Sequence, residues 1–298
     1  MSKAEHGISI RRILVALDSS RHSLAALEAA AELAAHTEAE LFGLFVEDIN
    51  LLRLARLPFA MQVNATSGAA EPVDAERMER ELRGQAAQAR RALAAVAERV
   101  RLPWSFRVAR GEVAAEVIAA AEEVDVITLG KRGLANGRRL GSTAHAALTS
   151  ARRSLLLSQH GSPFRAPVLV VCDGSAGSRD ALDVALRLAR AAGHPLVVLL
   201  VNGTDTPALQ EELAREIGTQ GPRLRYQGPY GANALSLSHA LRQHPDGFLV
   251  LSDSGRLSRD ETRKLLEQVK NPVLVVATAK EESKYFKTAK ADSSLRSE

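Results

Sequence analysis

Two tandem α/β domains, each a doubly wound (Rossmann-like) five-stranded parallel sheet, are the fold this sequence predicts, and three observations carry the prediction. At 298 residues the chain is long enough for two domains that each bury a core. An ungapped internal repeat aligns Ile13-Leu14-Val15-Ala16-Leu17-Asp18-Ser19-Ser20 with Val168-Leu169-Val170-Val171-Cys172-Asp173-Gly174-Ser175 at an offset of 155, and the same offset carries Leu27 onto Leu182, Leu33 onto Leu188 and Val46 onto Val201. Within each copy, apolar runs alternate with helical segments, the order that produces parallel sheets with right-handed crossovers.

The elements follow in order. Ile13 to Leu17 is nearly continuous in aliphatic residues, as a strand buried on both faces must be. Leu24, Leu27, Ala31 and Ala34 then recur at helical spacing, with Ser19 and Ser20 ahead of them as cap candidates. A second apolar run ends at Val46. Trp104, Phe106 and Val108 alternate with Ser105 and Arg107 as a strand; Val113, Val117 and Ala121 mark a helix; Val124 to Leu129 is a buried strand. Ser142 to Ala151 reads as a helix and Ser154 to Leu157 as the fifth strand. The second copy continues with Leu224 to Gln227, Ala234 to Arg242, Phe248 to Leu251, Arg259 to Val269 and Val273 to Val276. Val15, Leu27, Val126, Val170, Leu182 and Leu251 are the expected core.

Domain limits are placed at 1–163 and 164–279, with Gly161, Pro163 and Pro167 as breakers around the junction. The stretch 280–298, charged and rich in Ser and Lys, reads as a disordered tail. Leu129 matches Leu251 at an offset of only 122, so the first copy holds 33 more residues between its second and fourth strands. Much of that excess is Asp48 to Asp74, read either as an edge helix and loop over the sheet margin or as a lid or partner surface.

Composition narrows the function. Apolar residues make up 46% and charged residues 25%, ordinary for a globular protein, and aromatics supply only 4%, too few for base-stacking platforms. The net charge of +4 is spread among nearly as many acids as bases, so no dedicated nucleic-acid role is expected. Met1 to Arg12 lacks an apolar signal core and no uncharged stretch is long enough to span a bilayer, which predicts a cytoplasmic protein without membrane contact. Cys172, the single cysteine, lies in an apolar run and reads as a small buried hydrophobe.

In a doubly wound sheet, ligands sit beyond the carboxyl ends of the strands, so residues just after the strands carry the functional information. These are Asp18 after the first strand; Val46, Glu47 and Asp48 after the second; and Gly130-Lys131-Arg132-Gly133 after the fourth, followed by Gly141-Ser142-Thr143 at a helix start. Glycines let the backbone approach phosphate oxygens, and the free amides of a helix start favour an anion. Ser142 and Thr143 add hydroxyl donors.

This arrangement resembles the nucleotide-binding branch of the universal stress protein family: an Asp ending strand one, a Val-acidic pair ending strand two, and a Gly-x2-Gly-x9-Gly-Ser/Thr loop after strand four. Arg110-Gly111-Glu112-Val113 is similar to the family's turn into the next unit. The resemblance covers about residues 11–160 and 166–278 and implies a stress-response regulatory protein, tandem in type. It further implies that ATP or a related adenine nucleotide, with magnesium as its companion, binds the first copy. Asp18 and Val46 would frame adenine and ribose, and Gly130, Gly133, Gly141 and Ser142 would hold phosphates, with Lys131, Arg132 and Thr143 beside them.

One departure is that seven residues, Leu134 to Leu140, separate Gly133 from Gly141 where the family pattern has nine. The second copy departs further: it reads Ser252-Asp253-Ser254-Gly255 with no later Gly-Ser pair, and Asp253 would put a negative charge where phosphate lies. A nucleotide-free scaffold presenting a protein-binding surface, and a slow ATPase, are the alternatives.

Other chemistries lack support. Gly137 to Ser142 fails the Walker spacing, Gly174 to Ser178 fails the nucleophile-elbow pattern, and one cysteine without His-x3-His gives no zinc site. The pairs Glu47-Asp48 and Glu122-Glu123 read as solvated faces rather than an acid/base pair, so no enzyme is expected. The fused copies should form a pseudo-dimer within one chain, with room for further homodimerisation and an unidentified protein partner.

Overall fold

The computed structural model describes residues 10–18, 20–63, 68, 70–131, 139–159, 164–204, 206–217 and 221–278. The first half runs β1 (Arg12–Ala16), α1 (Arg21–Thr37), β2 (Glu40–Asp48), α2 (Ile49–Ala55), β3 (Met61–Val63), β4 (Ala70–Pro72), α3 (Ala75–Val100), β5 (Trp104–Gly111), α4 (Val113–Ala120), β6 (Val126–Gly130), α5 (Ser142–Ser150) and β7 (Ser154–Ser158). The second half repeats this without α2, β3 and β4: β8 (Arg165–Cys172), α6 (Ala176–Ala192), β9 (Leu196–Val201), α7 (Thr206–Ile217), β10 (Leu224–Tyr230), α8 (Ala234–Leu241), β11 (Gly247–Ser252), α9 (Arg259–Gln268) and β12 (Val273–Val276). No helix among the described residues is long and apolar enough to cross a membrane. The expected tail 280–298, and Gly161 and Pro163 of the junction, lie outside the described residues.

Both halves wind their strands alike, β5-β2-β1-β6-β7 and β10-β9-β8-β11-β12, so each reverses strand order between its first and fourth strands. The expected α/β class is met, and the structure adds that the two sheets are one. β7 pairs antiparallel with β12, giving ten continuous strands. The register makes this junction symmetric. The pairings of β1 with β6 and β8 with β11 match Val126 to Phe248, and those of β6 with β7 and β11 with β12 then match Leu156 to Leu274. Leu156 and Leu274 face each other across the seam, flanked by Leu157↔Val273 and Leu155↔Val275, so a local twofold passes through that pair.

The strands are nearly all apolar because helices cover both faces. One face packs under α1, α3, α6 and α7, the other under α4, α5, α8 and α9. Val15, Leu27, Val126, Val170, Leu182 and Leu251 are all buried. So is Cys172, whose thiol is pushed up to about 12 by burial and by the neighbouring Asp173 carboxylate, which keeps it protonated and inert. Leu24 is the exception within its stripe: in the first turn of α1 it is 39% exposed. Pro167 does not break the chain but lies inside β8, at the register shift where Gly247 pairs Arg165 and Phe248 pairs Val168.

Two helices are absent from the sequence reading, α3 and α7. The buried positions of α3 are Leu82, Ala86, Ala89, Leu93, Val96 and Ala97, a spacing of three and four that half its members, being alanines, disguise. In the insertion, α2 packs on α3 and β5 with Leu52 and Ala55 buried, which fits the edge-helix reading, while Leu54, Leu57 and Phe59 stay exposed.

Thr128 sits in β6 fully buried, and its hydroxyl has no hydrogen-bond partner among the described residues. Its structural equivalent in the second half is Val250, since Val15 pairs Thr128 as Val170 pairs Val250. Thr128→Val should therefore stabilise the protein by about 1 kcal/mol by removing an unpaid desolvation cost; urea unfolding with an unchanged or lower midpoint would contradict this.

At the seam between α1 and α6, the Phe164 ring lies 5.1 Å from His36 and 6.1 Å from His194, and its amide donates to Glu32. Burial, and then His194, lowers the His36 pKa. Burial first and then Arg225 do the same for His244, whereas burial raises Glu32 despite the Phe164 amide. The depressed histidines leave the unfolded chain binding more protons as pH falls through about 6.5, so stability should fall from pH 7.5 to 6. Glu32, raised from its ordinary value by burial, acts in the opposite sense. Thermal unfolding of His36→Gln should show a shallower loss over that window, and an equal slope would exclude His36 as a contributor.

Candidate functional site

Strand order reverses between β1 and β6, and a cleft opens at the carboxyl ends of these strands. Its walls include Ala16, Leu17, Asp18, Leu44, Val46, Val113, Val117, Leu129, Gly130, Gly141, Ser142 and Thr143. Six sequence-selected residues therefore meet in one place: Asp18, Val46, Gly130, Gly141, Ser142 and Thr143. Arg132 and Gly133 lie outside the described residues. The cleft encloses about 130 Å³, less than the roughly 300–1,000 Å³ of pockets that engulf a small molecule. A ligand here would rest partly outside the walls.

The repeat dictates the floor. In each copy the aspartate ending strand one accepts from the amide two residues on: Ser20 to Asp18 Oδ1 at 3.0 Å and Ser175 to Asp173 Oδ1 at 2.9 Å. That second residue then N-caps the next helix, Ser20 accepting from the Ser23 amide and Ser175 from the Ser178 amide, each at 3.1 Å. The same letters at the same spacing give the same local structure.

Beyond that floor the copies diverge. Asp18 is exposed, and among the described residues no amide closes on its second oxygen. Asp173 is buried, and its second oxygen accepts from the Arg256 amide at 2.5 Å. Burial pushes the Asp173 carboxyl up, yet hydrogen bonds from Ser175 and Arg256 outweigh it and hold the group below its ordinary value. The Arg256 guanidinium continues across the cleft to donate to the carbonyls of Asn202, at 2.5 Å, and Gly203, at 3.3 Å. Gly255 permits this closure: its φ is +153° and a Cβ would meet the Asp173 carboxylate.

The helix starts differ likewise. Gly141, the N-cap of α5, supplies no side-chain cap, and the first turn holds no acid. In α9, Ser258 accepts from the Glu261 amide, and Asp260 and Glu261 occupy the first turn. An anion at α5 meets a helix start without a side-chain cap among the described residues; at α9 it meets a capped start and two carboxylates already paired with Arg263, Lys264 and the Ala234 amide.

Several expectations need correction. Lys131 does not reach the cleft: its side chain is buried, and Nζ donates to the carbonyls of Val269 at 2.9 Å and Asn271 at 2.7 Å, just past the end of α9. Gly130 lines the cleft, but the close neighbour of its missing side chain is α1, for a Cβ would lie 2.9 Å from His22 Cβ and 3.1 Å from the His22 carbonyl carbon. Asp253 does not block the second copy; its Oδ1 accepts from the Thr278 amide and hydroxyl at 3.0 and 2.9 Å, and Arg256 does the closing. Glu47 is no solvated face, being buried in a two-pronged pair with Arg110 at 2.8 and 2.7 Å. Asp48 N-caps α2, and Glu123 pairs with Arg107 through two 2.8 Å bonds. Arg256 and the Ser258 cap of α9 were not singled out from sequence, although Ser258-x-x-Glu261 was a legible signal of a helix start; the Glu261 carboxylate itself turns to the Ala234 amide and Lys264.

Comparison with known proteins bears on the family and the fold. The model of the universal stress protein family matches residues 9–158. A search of the curated proteins returns no match. Among solved structures, a universal stress protein from Archaeoglobus fulgidus DSM 4304 superposes with TM-score 0.70 at 18% identity, covering 90% of this chain and 98% of that one. A functionally unknown protein from Pseudomonas aeruginosa PAO1 gives 0.56 at 16% identity over 90% and 92% of the two chains. Another from Pseudomonas aeruginosa UCBPP-PA14, described as a universal stress protein, gives 0.52 at 17% over 90% and 93%. At these identities the likeness is one of fold.

Lys131→Met should cost about 1–3 kcal/mol in urea unfolding, because two buried carbonyls lose their charged donor. Stability equal to the parent would mean the ammonium does not hold that seam.

Proposed function

Because this chain belongs to the universal stress protein family, we propose that it is a stress-response regulatory protein that binds ATP or a related adenine nucleotide in its first domain, residues 1–163, and not in its second, residues 164–279. The asymmetry between two copies of one cleft carries this reading. One copy keeps an open aspartate and an uncapped helix start; the other covers its aspartate with Arg256 and caps its helix with Ser258.

The residues present fit such a ligand. Val46, Val113 and Val117 offer apolar surface to a flat base, and Asp18 is an acceptor for ribose hydroxyls. The Ser142 and Thr143 amides and hydroxyls suit phosphate oxygens. Magnesium would travel with the nucleotide. The bound nucleotide acts as a conformational ligand, bridging β1, β2 and α5, and the partner that reads this state is a separate protein. A nucleotide-free scaffold is favoured by one observation: the enclosed volume is only about 130 Å³.

Calorimetric titration with magnesium-ATP distinguishes the two. The parent should bind, and Asp18→Ala should weaken binding roughly tenfold or more, the loss of a charge-assisted hydrogen bond. Asp173→Ala should lower stability and leave affinity unchanged. Gly130→Val is a poor probe, since it drives a side chain into His22. No heat from the parent at about millimolar ATP, and no nucleotide released on denaturation, would put the scaffold in its place.

A further inference from the structure

The ten-stranded sheet ends in two outer strands, β5 and β10, and the chain treats them differently. β10 contains Pro229 and shifts register against β9 between Gln227 and Tyr230, two devices that blunt an edge. β5 holds unbroken register with β2 over its eight residues, from Leu41↔Trp104 to Asp48↔Gly111, with neither bulge nor proline. The Leu41 amide donates to the Pro103 carbonyl. In a parallel ladder the main-chain groups of residues 103, 105 and 107 therefore turn inward, while those of Trp104, Phe106 and Val108 turn outward. No described strand takes them.

Beside this edge runs an open groove of about 910 Å³ between β5 and α3, lined by Trp104, Phe106 and Val108 on the strand and by Ala87, Arg90 and Arg91 on the helix. The charges there are unusual for α3. Arg77, Arg80, Arg83 and Arg99 each meet a carboxylate, whereas Arg90 and Arg91 are exposed and enter no ion pair among the described residues.

We propose that β5 and this groove accept an added strand, an acidic extended segment of a partner protein. Its main chain satisfies the outward amides and carbonyls of Trp104, Phe106 and Val108. Every second side chain then faces the groove, where apolar residues cover the aromatic wall and carboxylates meet Arg90 and Arg91. A second copy of this chain fits less well. Antiparallel pairing centred on Phe106 brings two pairs of unmatched arginines around one axis, where like charges repel.

Trp104 is the chain's single tryptophan and reports directly on the groove. The probe is an acetylated nonapeptide alternating threonine with valine and glutamate, and its control carries lysine for glutamate. The glutamate peptide should change Trp104 emission saturably and the lysine peptide should not. Arg90→Glu with Arg91→Glu, on an exposed helix face, should weaken the glutamate peptide at least tenfold and confer binding of the lysine peptide. Val108→Pro removes one outward donor without touching the inner ladder and should also weaken binding at least tenfold, with circular dichroism confirming the fold. Equal responses to both peptides, or none at about millimolar concentration, would overturn the proposal. So would sedimentation of the parent as a dimer that Val108→Pro dissociates, which would make the occupant a second copy.

Discussion

The antiparallel pairing of β7 with β12 is the constraint on which the rest of the molecule depends. Each half would otherwise end in a strand with an apolar centre, Leu155 to Leu157 in one and Val273 to Val276 in the other, with its edge exposed. Pairing these two strands satisfies both edges at once and fuses two sheets into one. The seam is then locked from both faces. Lys131 reaches across one side to the chain beyond α9, and Phe164 is held between His36 and His194 where α1 meets α6. Because equivalent leucines meet at the seam, the halves point opposite ways and their two clefts open at opposite ends of the sheet.

That geometry frees the halves to diverge. A homodimer of such units carries two identical clefts by symmetry; a fused pair does not. Here the first cleft keeps an exposed Asp18 and an uncapped α5, and in the second the loop after β11 covers Asp173 with the Arg256 amide. The closure is economical in residues: Arg256 supplies an amide to Asp173 and a guanidinium to Asn202 and Gly203, while Ser258 caps the helix start by accepting from the Glu261 amide. The departures of the second copy are thus accompanied by internal hydrogen bonds that the first copy lacks among the described residues. The outer strands show the same division, β10 blunted by Pro229 and β5 left regular.

Much of the fold was legible because it rests on short-range signals. Buried strands must be apolar on both faces, so Ile13 to Leu17 and Val168 to Cys172 announce themselves, and Asp-x-Ser followed three residues later by Ser specifies the same turn and cap twice. α3 escaped notice because alanines occupy half of its buried positions and charged residues crowd the rest of the helix. Among the site residues, those fixed by strand ends, Asp18 and Val46, and by the helix start, Gly141 to Thr143, meet as expected. Lys131 does not, since a lysine beside glycines reads as a phosphate ligand until the other half of the chain offers it two carbonyls 138 and 140 residues away.

By itself, then, the sequence determined the α/β class, the duplication, the order of the ten sheet strands, and the ring of residues at the carboxyl ends of the first copy's strands. Each of these follows from hydrophobic period and local hydrogen bonding, which act over a few residues. Only the tertiary structure decided that the two sheets join through β7 and β12, that Gly130 is a glycine because α1 passes close to it, and that Arg256 rather than Asp253 closes the second cleft. Those outcomes depend on which groups meet across distances of tens to more than a hundred residues, where burial and the pairing of polar groups select the partner and no local pattern records the choice.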